Sequence, residues 1–254
     1  MHHEDLQHVA QLLRNARHLA VLTGAGISAE SGVPTFRDAL DSHWSKFKPE
    51  ELATSQGFLK NPELVWRWYA DRRTNLAYAK PNPGHRVLAW LAEAVPQVSL
   101  ITQNVDGLHQ AAGSPLVHEL HGNIWRSKCF RNNHPIHPEL AATSPQAPPQ
   151  CPLCGSLARP DVVWFGELLP ADVLTMAQQA SRQADLFFVV GTSGLVQPAA
   201  SLAHDALFAG ASVVVINPDP NAAIEGGIFL KGPSGVILPQ LIQAGWGIDP
   251  SEFQ

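Results

Sequence analysis

The stretch from Leu19 to Asp38 constrains this chain more than any other. It opens on an apolar run, Leu19 to Leu22, of a length that suits a buried strand. Gly24, Gly26 and Ala29 follow at once, in the G-x-G-x-x-A spacing of a turn leading from a strand to a helix. Such glycines let backbone approach a pyrophosphate, and N–H groups at a helix start favour its charge. An ordinary dinucleotide-binding unit would then run through a helix into a second strand ending in an acid. Here the pattern breaks at Gly32 and Pro34, because proline fixes its own φ and disfavours helix just before it. Phe36, Arg37 and Asp38 are therefore expected on a loop that carries an aromatic ring and a cation over the cofactor. The missing second strand with its acid disfavours a hydride-transferring dehydrogenase.

Further strand-like runs recur at Val98–Thr102, Leu116–Leu120, Ala184–Val190 and Val213–Ile216. Helical patterns occupy 4–17, 84–94, 171–183 and 198–209, and another helix is expected from Leu238. Strands alternating with helices predict an α/β protein with a parallel, doubly wound, Rossmann-like sheet. Ligands of such sheets bind beyond the carboxyl ends of the strands, so polar residues placed there are site candidates. Those residues are Gln103, Asn104 and Asp106 after the second run, and His121 beside Gly122 after the next. Gly191, Thr192, Ser193 and Gly194 follow the fourth run, and Asn217, Pro218 and Asp219 the fifth. Taken alone, Asn104, Asp106 and Gly107 suit a plain turn better than a site.

Two segments do not fit the sheet and predict a second, smaller domain. Residues 40–80 are aromatic-rich and helical, with Trp44, Phe47, Phe58, Trp66, Trp68 and Tyr69 as core candidates. Residues 123–160 are irregular and hold every cysteine: Cys129, then Cys151-x-x-Cys154. That spacing suits metal better than a disulfide framework, so a zinc-ribbon-like module is expected. The predicted boundaries are thus 1–39, 81–122 and 161–254 for the Rossmann-like domain, and 40–80 with 123–160 for the small one. The net charge of −5, with no basic run, leaves no nucleic-acid footprint. No apolar run is long enough to span a membrane and no signal peptide is visible. A reducing, cytoplasmic setting and a monomer are expected.

The string from Gly24 to Asp38, Gln103-Asn104-x-Asp106 and the His121-Gly122 pair together resemble the sirtuins, the NAD-dependent protein deacylases. The resemblance runs from Leu19 to Leu238. It implies that NAD is a co-substrate: nicotinamide leaves, and the acyl group of a modified lysine passes to ADP-ribose. It implies His121 as general base, with Asn104 and Asp106 catalytic and lining the nicotinamide pocket with Gln103. NAD contacts are implied for Gly24, Ala25, Gly26, Ser28, Glu30, Thr35, Phe36, Arg37, Gly191, Thr192, Ser193, Asn217, Pro218, Asp219 and Ser234. Acylated-lysine protein substrates would lie against Val163, Trp164, Phe165, Gly166 and Glu167 on one side and Gly194-Leu195 on the other. A structural zinc is implied on Cys129, Cys151 and Cys154. The family's second Cys-x-x-Cys pair is broken here by Asn132, which leaves His134, His137 or an empty site as alternatives.

Tyr69 and Arg72 stand three apart on one helix face. With Ala39, this Tyr-x-x-Arg pair resembles the desuccinylase-type branch, in which it reads a carboxylate at the end of the acyl chain. Three other functions stay open on the same residues: NAD hydrolysis, ADP-ribosyl transfer to protein, and an NAD-sensing module without chemistry.

Overall fold

The computed structural model describes residues 3–34, 47–142 and 144–254. The strands are β1 (His18–Thr23), β2 (Gln97–Thr102), β3 (Val117–Glu119), β4 (Gly122–Cys129), β5 (Pro135–Ile136), β6 (Ala158–Val162), β7 (Leu186–Val190), β8 (Ser212–Asn217) and β9 (Ile228–Lys231). The helices are α1 (His3–Asn15), α2 (Ala25–Ser28), α3 (Pro49–Leu52), α4 (Ser55–Lys60), α5 (Pro62–Leu76), α6 (Pro83–Ala94), α7 (Leu108–Ala111), α8 (Pro138–Ala142), α9 (Ala171–Gln183), α10 (Ser201–Phe208) and α11 (Ser234–Trp246).

Six strands form one all-parallel sheet in the order β3-β2-β1-β7-β8-β9. The chain starts at β1, runs outward through β2 to β3, and returns to β7 on the other side. That reversal beside β1 is the switch point at which open α/β sheets bind ligands. Side chains alternate along each strand. On β7, Leu186, Phe188 and Val190 meet Leu13, Leu88 and Leu241 of α1, α6 and α11. Phe187 and Val189 point the other way, to Ala177, Leu202 and Ala206 of α9 and α10. Both faces are therefore covered, and β1 and β7 are buried along their whole length. Strand β9, a short apolar run after Gly226-Gly227, was not expected from the sequence.

A separate antiparallel sheet, β5-β4-β6, carries the cysteine segment. Its strands include Gly122 and run through Asp161 and Val162, so this sheet overlaps both expected boundaries, at 122 and at 161. Against it packs α5, which begins at Pro62 with Asn61 accepting the Leu64 N–H as its cap. Val65, Trp68 and Tyr69 of α5 join Phe58, Ile124, Val162 and Trp164 in one core, while Trp66 turns to Cys129, Cys151 and Ile136 in another. The aromatics of this region are thus small-domain core. Trp44 lies outside the described residues.

Candidate active site

Gly24 and Gly26 are required by protein packing. A Cβ on Gly26 would lie 2.7 Å from the Gly191 backbone, and one on Gly24 2.8 Å from Thr192. The loop after β1 is pressed against the loop after β7, and Gly26 N–H donates to the Gly191 carbonyl. The glycines were expected to let backbone approach a pyrophosphate; their Cβ positions face Gly191 and Thr192, a packing requirement the sequence did not show. The short α2 then opens at Ala25 without any side-chain cap.

The ends of β1 and β2 meet under this loop. Ser28 Oγ donates to Asp106 Oδ2 at 2.8 Å and accepts from Asn104 Nδ2 at 3.1 Å. The Asn104 amide also donates to the Gly24 carbonyl, and Gln103 Nε2 donates to Thr192 Oγ1. Asp106 is buried; desolvation raises its pKa against the Leu108 N–H and Ser28 hydroxyl bonds that lower it. Sequence reasoning missed the layer beneath. Asn82 caps α6 and holds the Ile27 carbonyl through its Nδ2, and its N–H donates to His85 Nδ1. That acceptor role leaves the proton on Nε2, 3.4 Å from Ser28 Oγ. His109 sits 4.9 Å away, ring to ring, and bonds Thr23 Oγ1. Burial pushes His85 down to about 4 and His109 to about 3, so both stay neutral at ordinary pH. The Asn-Pro dipeptide at 82–83 was a readable cap signal; nothing in the sequence placed His85 under Ser28.

His121 follows β3 and lies beside this network. Its Nδ1 is 2.9 Å from the Gln103 carbonyl, which can only accept, so Nδ1 carries the proton and Nε2 keeps its lone pair. Burial lowers the His121 pKa and the Gln103 bond partly restores it. The Val163 N–H donates to the His121 carbonyl, tying the segment after β6 to this histidine.

The other expected contacts divide. Asn217 Nδ2 donates to the Thr192 carbonyl, joining the ends of β8 and β7. Asp219 is exposed beside Pro218 and accepts the Asn221 N–H, capping a short turn. Ser193 is exposed nearby. Glu30 accepts the Gly235 N–H and the Ser234 hydroxyl at the start of α11, so these two expected contacts serve each other. Thr35, Phe36, Arg37 and Ala39 lie outside the described residues.

The expected substrate clamp is modified by burial. Trp164 is only 2% exposed, and its indole N–H donates to the Tyr69 hydroxyl at 2.9 Å. Its side chain is core, so only its backbone can meet a peptide. Glu167 is held by Arg159, whose guanidinium also stacks 3.4 Å over Trp164, and by the Ser55 hydroxyl. Phe165 and Leu195 remain exposed, and Gly166 and Gly194 turn the chain at φ +83° and +68°. On α5, Tyr69 is buried and Arg72 lies over the Trp68 ring at 4.9 Å. Arg72 is close enough to Asp106 to feel its charge.

Away from this chemistry, the Sγ atoms of Cys129, Cys151 and Cys154 and a ring nitrogen of His134 all lie within 4.8 Å of one another. Cys129 and Cys154 sulfurs are 3.7 Å apart, close to the edge of roughly 3.8 Å in a tetrahedron with zinc–sulfur bonds of about 2.3 Å. The donor set fits a structural zinc with His134 as fourth ligand. His137 is exposed and 3.7 Å from Glu139, outside the cluster. Asn132, at the lost cysteine position, still donates its backbone N–H to Cys129 Sγ, as does His134. Elemental analysis should give about one zinc per chain. His134→Ala should lower that content and the melting temperature; full zinc retention in that variant would exclude His134 as ligand.

Comparison with known proteins places these features in context. The Sir2 family profile matches residues 24–198. A protein of Aquifex aeolicus named NAD-dependent protein deacylase is 54% identical over 202 residues, covering 80% of this chain and 84% of its own. A solved complex of a Sir2 homologue with NAD superposes with a TM-score of 0.83 at 41% identity, covering 93% and 92% of the two chains. A Sir2 complex with a p53 peptide and NAD does so at 0.83 and 33%, covering 94% and 98%.

Proposed function

Because the chain belongs to the Sir2 family and is an NAD-dependent protein deacylase, we propose that it removes succinyl and malonyl as well as acetyl groups from lysine, with His121 as the base. NAD, as co-substrate, supplies the ribose carbon that gives up nicotinamide and the hydroxyl that takes the acyl group. Every other step falls to side chains already described. The rim of Gly24, Ala25, Gly26, Ser28, Gly191, Thr192 and Ser193 meets the phosphates and ribose, and Asn217 and Asp219 the adenosine end. Gln103, Asn104 and Asp106 form the nicotinamide pocket, with Asn104 and Ser28 fixed by mutual hydrogen bonds. His121 takes the proton from the ribose hydroxyl at Nε2, because Nδ1 is committed to Gln103. That bond is the observation on which the reading of the base rests.

The acyl specificity rests on Arg72, which the helix places beside Tyr69 and within electrostatic reach of Asp106. The peptide itself lies across the backbone of 163–167 and 194–195 as an added strand. Substrates are acylated proteins; the net charge is −5, and no helix among the described residues is long and apolar enough to cross a membrane. Three free cysteines suit a cytoplasmic enzyme. The test is nicotinamide release from NAD in the presence of acetyl-, malonyl- or succinyl-lysine peptide and in their absence. Release that does not need an acylated peptide would mean NAD hydrolysis instead.

A further inference from the structure

Helix α5 presents two faces, and only one looks toward the active site. Trp68, Tyr69 and Arg72 face Asp106 and Trp164. Trp66, Ala70 and Arg73, spaced by four and three, form a stripe on another face of the same helix. Together with Trp125 and Ser127 of β4 and Ala141 of α8, that stripe lines a half-open cavity of about 210 Å³. Its walls are mainly apolar. The indole N–H of Trp66 goes to the Ser144 carbonyl and that of Trp125 to the Asp106 carbonyl, so neither is left to face a ligand.

Arg73 is the exception. Its Nε donates to the Ile124 carbonyl and one Nη2 hydrogen to Ser127 Oγ. Nη1 makes no hydrogen bond among the described residues, and no described carboxylate lies within ion-pair distance of the guanidinium. The cation is half-buried, with the Trp66 ring 5.4 Å from its centre. A cation held out of bulk water without a counter-charge is costly, and ring contact offsets only about 0.5–2 kcal/mol of that by general experience. Arg73 sits in the wall of a cavity with a free donor pair suited to two parallel bonds to a carboxylate.

We propose that this cavity binds a small organic carboxylate, with its acid on Arg73 and its apolar part against Trp66, Ala70 and Ala141. The volume lies below the roughly 300 Å³ at which drug-sized pockets begin, so the ligand is a small ring or branched chain. The site is separate from the acyl pocket, which lies on the Tyr69 and Arg72 face. It is connected to the chemistry through Trp125, whose indole holds the Asp106 carbonyl at 2.6 Å.

The test is an NMR titration of the full chain with 3-phenylpropanoate, following the indole N–H signals of Trp66 and Trp125. Both should shift and saturate. The neutral amide, 3-phenylpropanamide, should bind at least about tenfold more weakly, as loss of a charge-assisted bond requires. Arg73→Met should weaken the acid to a similar degree. Since Arg73 also braces Ile124 and Ser127, that variant is paired with Ala141→Leu, which fills the cavity from the opposite wall and should abolish binding with the arginine intact. Arg72→Met should leave binding unchanged. No saturable shift up to roughly 10 mM, equal binding of acid and amide, undiminished binding in Ala141→Leu, or a loss in Arg72→Met would each overturn the proposal.

Discussion

His121→Ala protein should bind NAD as the wild type does and lose deacylation by roughly 10²- to 10⁴-fold, the usual range for a missing general base. The expectation follows from one geometric fact. The Gln103 carbonyl takes the Nδ1 proton of His121, so the neutral ring keeps a basic Nε2. Binding should survive because His121 contributes no bond to the glycine loop or to the Ser28–Asn104–Asp106 network. A pH profile adds a second readout. Burial pushes the His121 pKa below 6.5, against the Gln103 bond that raises it. The active form is the unprotonated one, so activity is full above the folded pKa and falls as pH drops through it. The acidic limb of kcat/KM should therefore lie below pH 6.5 in the wild type. Deacylation near the wild-type rate in His121→Ala, or an acidic limb well above that of ordinary histidine, would refute the assignment.

The strand-end residues were legible for a physical reason. A parallel sheet buries its strands on both faces, so each strand reads as an apolar run, and the polar residues after it fall on one edge. That logic found Gln103, Thr192 and Asn217 before any coordinates; His121 follows a stretch that includes His118 and Glu119, and its place beside Gly122 and the family resemblance singled it out. It failed where function depends on a third partner. Trp164 was given as a peptide contact by the family resemblance of its segment, and its ring is taken up by Tyr69 and Arg159 in the small-domain core, which leaves only its backbone for a peptide. Glu30 and Ser234 lie some 200 residues apart and meet only because α2 ends beside the start of α11. His85 and His109 carried no periodic signal that pointed under Ser28. The fourth ligand position was left open between His134, His137 and an empty site, since both histidines lie a few residues after Cys129. Only the turn at Asn132–His134, with both N–H groups aimed at the Cys129 sulfur, brings His134 inward and leaves His137 outside. For Gly24 and Gly26 the packing against Gly191 and Thr192 was not legible, because a sequence does not show which loop lies behind a missing Cβ.

Arg72→Met should lower turnover of succinyl-lysine peptide roughly 10- to 100-fold, because a hydrogen bond to a charged group is worth about 1.5 to 3 kcal/mol. Acetyl turnover should change far less. The guanidinium lies over Trp68 and near Tyr69, so the aromatic faces orient its plane. The Tyr69 hydroxyl accepts from the Trp164 indole, which fixes the phenol and leaves its own proton to donate to the same carboxylate. Asp106 adds its charge to the surroundings of Arg72, an attraction weaker than the effect of burial on that guanidinium. Methionine keeps the length and apolar stem of the side chain and removes only the charge and the fork, so the stacking on Trp68 survives in part. The ratio of succinyl to acetyl kcat/KM is thus the decisive quantity, since a change in folding or in NAD binding moves both substrates together. Tyr69→Phe should lower the same ratio by less, having lost one neutral donor. Equal loss on both substrates in Arg72→Met, or a wild type that ignores succinyl-lysine, would make Arg72 a brace for Asp106 and leave acetyl as the natural substrate.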